Sequence, residues 1–234
     1  MAYRAGSGTS NSGGTSTTQT VNKPIGVAEG DIVVIAIITR GVTTETYTWP
    51  TDFTEAARGS ITGSVAHDCT YAVATKVATA SEPASYTVTQ SGARTAGLTC
   101  GAWTGRDVSA SRLTFATTSG RVSGASSGNI NVTGGTATES DDIVWIATLS
   151  QAGSAITVTP PGSYSVVSSV SFNTNGDQIY MAYRDAVTAG VTGTISGSWS
   201  GGTADTSGMA VAIKILDTTV YDPITSCFPI GYYE

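Results

Sequence analysis

The sequence predicts an all-β protein: a jelly-roll-like β-sandwich built from two internally repeated halves. Three observations predict it. Only 12% of the 234 residues are charged, about half the usual share of soluble domains, and Thr, Ser, Gly, Ala and Val fill the difference. Branched Thr and Val favour a pleated sheet, while Gly and Ser punctuate turns. Apolar residues alternate with period two, as in Tyr71, Val73, Thr75 and Val77, or run continuously over short stretches. Finally, the same order of segments occurs twice, roughly 110 positions apart.

Residues 1–20 come first. Within them GSGTSNSGGTSTTQT holds only Gly, Ser, Thr, Asn and Gln, too little apolar surface to offset its ordering entropy. A flexible arm is expected, either free or laid across a neighbouring molecule. The N-terminal residues show no apolar core of a secretory signal, so none is expected.

The sandwich is expected over 21–217, with repeat cores at 31–105 and 142–216. Each opens on acidic turn residues followed by an apolar run, Gly30-Asp31 before IVVIAII and Asp141-Asp142 before IVWIATL. Runs without alternation fit strands covered on both faces. Next, a strand stops at proline, which cannot donate to a ladder: Trp49-Pro50 in the first copy, Pro160-Pro161 in the second. A hairpin follows, turning at Ala80-Ser81-Glu82-Pro83 and again near Gly190. Small-residue strands, Ala96 to Trp103 and Met209 to Leu216, close the copies. One such sheet cannot cover both its own faces, so the halves are expected to pack face to face.

Residues 218–234 differ in kind. Tyr221, Ile224, Phe228, Ile230, Tyr232 and Tyr233 crowd a stretch broken by Pro223 and Pro229. So much apolar surface calls for cover. It either folds back on the sandwich or docks on a partner, and these six residues are the candidate partner-binding set.

Chemistry is sparse. The net charge is −6 with no cationic cluster, which argues against nucleic acid. The longest apolar run is too short to span a bilayer, so no membrane partner is expected. The single histidine, His67, lies two residues from Cys69. That spacing puts them on one strand face without a base meeting a nucleophile, and no orienting third group is evident. No catalytic residue, and no enzyme activity, is assigned. Three cysteines do not make a disulfide framework; Cys69 and Cys100 read as buried small hydrophobes, or as a pair if their strands are neighbours. Glu29, Asp31, Glu139, Asp141 and Asp142 read as turn chemistry rather than calcium ligands, so no metal or cofactor is expected. Trp103, Trp145 and Trp199 sit within strand patterns and belong in the core. Trp49, with Pro50 and the counterpart Pro160-Pro161, marks the candidate ligand loop.

Several of these segments together resemble a β module of tailed-bacteriophage and prophage virion structural proteins. The residues that carry the likeness are Gly30-Asp31, Trp49-Pro50, Val77-Ala78-Thr79-Ala80, Glu82-Pro83-Ala84-Ser85-Tyr86, Trp103-Thr104-Gly105-Arg106-Asp107 and Thr159-Pro160-Pro161-Gly162. The likeness spans about residues 24–216. Where the family carries Trp after the second loop glycine, this chain has Ser163-Tyr164. The resemblance implies a virion location and a capsid decoration or cement role, with the major capsid protein or another virion protein as partner. Symmetric association, such as a trimer, is expected with it. The alternative is a tail-associated receptor- or carbohydrate-binding module.

Overall fold

The computed structural model describes residues 3–10, 15–61, 68–104, 116–118, 122–123, 127–133, 136–137, 141–150, 156–172, 176–187, 190–201 and 207–215. Every regular element among them is a strand: β1 (Tyr3–Ser10), β2 (Ser16–Asn22), β3 (Ile32–Arg40), β4 (Tyr47–Thr48), β5 (Thr54–Ile61), β6 (Cys69–Val77), β7 (Ser85–Arg94), β8 (Ala96–Trp103), β9 (Ala116–Thr118), β10 (Val122–Ser123), β11 (Gly128–Thr133), β12 (Thr136–Ala137), β13 (Asp141–Ser150), β14 (Thr157–Thr159), β15 (Ser165–Ser171), β16 (Gln178–Val187), β17 (Gly190–Val191), β18 (Thr194–Ser200) and β19 (Ser207–Ile215). His67, Cys227 and the whole candidate docking set of Tyr221, Ile224, Phe228, Ile230, Tyr232 and Tyr233 lie outside the described residues.

Two large antiparallel sheets dominate, ordered β1-β8-β3-β6-β5 and β10-β19-β13-β16-β15, with β9 also on β19. Two three-stranded sheets, β2-β7-β4 and β11-β18-β14, accompany them. The halves therefore share one strand order, with β1 and β2 answered by β9–β10 and β11. Even an irregularity recurs: the edge strand β5 carries a bulge between Glu55 and Ala57, and β15 carries one between Val166 and Ser168. Bulges on edge strands increase local twist and blunt the edge against pairing with other chains.

Alternation along β3 and β13 explains the layers. Val33, Ile35 and Ile37 face the first three-stranded sheet, meeting Val21, Tyr86 and Val88. Ile143, Trp145 and Ala147 face the second, meeting Ile130, Val132 and Ile195. The remaining faces meet each other: Ile32, Val34, Ala36 and Ile38 join Val144, Ile146, Met181 and Ile213 in one central core. The continuous apolar runs are thus covered on both faces, as their sequence requires. The number of layers differs from the two-layer expectation. Each half covers one face with its own small sheet and buries the other against its twin, giving four layers.

Contacts across the centre are reciprocal. β15 packs on β8 and β1, β5 packs on β19 and β9, and β3 meets β13 between them. That is the pattern of an isologous interface, where like bodies present the same patch to each other. Gly97 lets β8 approach closely: a Cβ there would lie 2.5 Å from the Phe172 ring. Polar ties join the halves as well. Arg40 pairs with fully buried Asp177 at 3.3 Å, and Thr99 and Ser168 share a short hydroxyl bond.

Of the segment expected to be a flexible arm, residues 3–10 and 16–20 form strands. β1 pairs with β8 along its length, and β2 pairs with β7. Backbone bonding needs no apolar side chain, so a Gly/Ser segment can still complete a sheet edge. Two side chains anchor it: Tyr3 stacks on Tyr183 at 4.4 Å, and Arg4 bonds Asp31 at 2.6 Å.

Twin clefts as the candidate functional site

Each half builds the same turn after its proline. The Phe53 N–H donates to the Pro50 carbonyl at 3.2 Å, and the Tyr164 N–H donates to Pro161 at 3.1 Å. The third residues, Asp52 (φ 67°) and Ser163 (φ 69°), both take the left-handed conformation, which glycine or asparagine usually fills in such turns. Retention of a non-glycine residue there in both copies marks the two loops as one construction. Beside each turn lies a shallow, open cleft, of about 490 Å³ in the first half and about 260 Å³ in the second.

The first cleft is floored by a closed ionic cluster. Lys76 lies opposite Val33 in register on β6, and its Nζ bonds Glu82 Oε1 at 2.8 Å, both side chains nearly sealed from solvent. Glu82 Oε1 also accepts the Thr79 backbone N–H at 2.7 Å, and Oε2 accepts the Tyr86 hydroxyl at 2.8 Å. Burial works against charge on Glu82, yet the bonds from Lys76, Thr79 and Tyr86 outweigh it and hold its carboxyl below the usual range. Burial, with the neighbouring Glu82, pushes the Tyr86 hydroxyl far up. The ammonium also sits 5.5 Å from the Phe53 ring centroid, within cation–π reach. The ion pair and the flanking rings thus join the hairpin to the turn.

The second cleft has the same frame and different chemistry. Tyr164 stands where Phe53 does, and Arg184 lies opposite Ile143 in register on β16, as Lys76 lies opposite Val33. Ile195 replaces Tyr86 and Ser196 replaces Thr87 on the hairpin's return strand. Arg184 is exposed, lining the cleft with Pro161, Tyr164, Thr192, Thr194 and Ser196. Burial pushes the Tyr164 hydroxyl up to about 12, with the Arg184 cation opposing that rise. Among the described residues no carboxylate takes the place of Glu82.

Pro50 and Pro161 therefore line the clefts. Trp49 and Pro160 do not: Trp49 is half-buried, donates its indole N–H to Glu55 at 2.9 Å and tilts against Tyr47. Trp103, Trp145 and Trp199 are buried in the core. Cys69 and Cys100 are free and buried. They flank β3 on opposite sides, and their side chains enter different cores, so no bridge forms. Burial raises the Cys69 thiol to about 12, far from a nucleophile's range. Asp31 accepts Arg4 and the Ala28 backbone N–H at 2.8 Å, and no group of metal-ligating side chains converges among the described residues.

Sequence reasoning missed Lys76, Arg184, Tyr164, Asp52 and Ser163 as a set. The signal was present, since a basic residue precedes the hairpin turn in both YAVATKV and YMAYRDAV.

The chain matches no family model, no curated protein and no solved structure.

Proposed function

We propose that this chain is a virion structural protein of a tailed bacteriophage, a decoration or cement protein that binds the outside of the head shell and bridges neighbouring subunits. One observation carries the reading: the same eight-strand order in both halves. In each half the first strand lies beside the eighth, the third lies between the eighth and the sixth, and the second, seventh and fourth form the facing sheet. We read this order as that of a jelly roll with its fifth strand moved to the larger sheet, an architecture that viral capsid domains use. The sequence likeness to phage virion modules points the same way.

The physical character of the molecule suits a mechanical role. Among the described residues most large apolar side chains lie between sheets, with Ile25, Val166 and Val191 exposed, and the outer small sheet of the first half presents Thr18, Thr20, Thr87 and Thr89 to solvent. An acidic, hydroxyl-rich exterior favours solubility. The work so assigned is adhesion to the major capsid protein or another virion protein, with no catalysed reaction, and symmetric association, such as a trimer, is expected with it.

Quantitative mass spectrometry of gradient-purified particles from the source tests the proposal. A copy number comparable to the shell protein is expected. A handful of copies per particle would place the chain on the tail and favour receptor binding, and absence from particles would overturn the virion reading.

A further inference from the structure

The divergence between the twin clefts carries an inference of its own, independent of where the chain resides. In the first half the cleft's cation is consumed internally by Glu82, Phe53 and Tyr86. In the second half the frame is kept, no carboxylate among the described residues takes the place of Glu82, and exposed Arg184 lines the cleft. We propose that the second cleft binds an acidic sugar ring, its carboxylate on Arg184 and its hydroxyls on the walls.

The chemistry follows the lining. Guanidinium is a planar fork suited to bidentate capture of a carboxylate. The Thr194 hydroxyl can donate and accept, and Ser196, whose hydroxyl donates to Asn131 Oδ1 at 2.5 Å, still presents lone pairs as an acceptor, a pairing that matches a polyol. Pro161 and Tyr164 supply apolar flank for a ring's C–H face. The volume, about 260 Å³, falls below the roughly 300–1,000 Å³ of pockets for drug-sized ligands, which restricts the occupant to about one ring. The left-handed turn at Ser163 holds Pro161 and Tyr164 in position without ligand. In a chain of net charge −6, an exposed arginine in a hydroxyl-lined hollow is a localised attraction for an anion rather than part of a basic surface.

The test is titration of the full chain, followed by NMR shifts or calorimetry, with three probes: glucuronate, glucose and inorganic phosphate. Glucuronate is expected to bind in the millimolar range, with glucose weaker by about tenfold or more, the worth of one charge-assisted contact. Arg184→Gln should lower glucuronate affinity by a similar factor, and Arg184→Lys, which keeps the charge and loses the fork, should lower it less. Arg184 is exposed, so an unchanged urea midpoint will confirm that both variants are folded. Equal binding of glucose and glucuronate, or an Arg184→Gln variant that binds as the wild type does, would overturn the proposal. Phosphate binding as tightly as glucuronate would overturn it too, leaving a plain anion site.

Discussion

The contact between Gly97 and Phe172 gives the sharpest test of how the halves are joined. Phe172 follows β15 and is fully buried, with its ring against the backbone of β8. Phe172→Ala should cost about 3–5 kcal/mol, the range for emptying an aromatic site in a core. Gly97→Ala attacks the same contact from the other side. The three atoms nearest the added methyl all belong to the Phe172 ring, at 2.5, 3.0 and 3.1 Å. Overpacking of this kind costs about 1–3 kcal/mol. In the Phe172→Ala background those atoms are gone, and alanine in a strand is favoured over glycine by about 0.5–1 kcal/mol. The second substitution should then be neutral or stabilising, so the double-mutant cycle should show a coupling of about 2 kcal/mol, well above the ~0.5 kcal/mol scatter of independent sites. Urea denaturation of the four proteins reads this directly, provided the slope stays constant. Additive costs would refute the argument, because they would mean that methyl and ring do not meet.

Three further outcomes are expected. Glu82→Gln leaves Lys76 sealed without a counter-charge and should cost about 3 kcal/mol in a urea melt. Because the folded Glu82 carboxyl lies below its ordinary 4.5, its contribution is fully present above that value and is lost as pH falls through the lowered folded value; the acid limb should therefore flatten in Glu82→Gln, and an unchanged limb would count against the ionic cluster. Asp177→Asn removes the charge facing Arg40 and should cost about 2 kcal/mol, less than for a fully sealed pair because Arg40 reaches solvent; a midpoint shift worth under ~0.5 kcal/mol would deny the bridge a role. Alkylation mapped by mass spectrometry should modify Cys69 and Cys100 only after denaturation, and modification of either under native conditions would contradict their burial.

Much of the fold was legible because burial writes itself into strand composition. IVVIAII and IVWIATL lack polar alternation, and both are covered on two faces. Trp103, Trp145 and Trp199 sit in strand patterns and are buried. The prolines that end β4 and β14 were readable from their missing donors. β1 and β2 were not legible as strands, since edge pairing uses backbone groups that every sequence carries. Nor was the layer count, because an apolar face does not state whether its cover comes from its own half or the other. The clefts were half visible: Pro50 and Pro161 marked the loops, while the basic residues across the hairpin, Lys76 and Arg184, line the clefts without having been singled out. The bond of Trp49 to Glu55 depends on folding, not on sequence proximity to a proline.

The reciprocal central interface has a consequence for how the molecule can vary. Two separate identical chains meeting through such a patch would place every substitution on both sides of the axis at once, so each change of size would be met by its own copy. Here the tether fixes one partner to the other and supplies it at an effective concentration on the millimolar scale. Each side is then free to drift alone. The seat held by Ile61 at the end of β5 is held by Phe172 after β15, and only the phenylalanine needs Gly97 opposite it. Joining the two bodies in one chain turns a symmetry that must be obeyed into one that can be spent, one residue at a time.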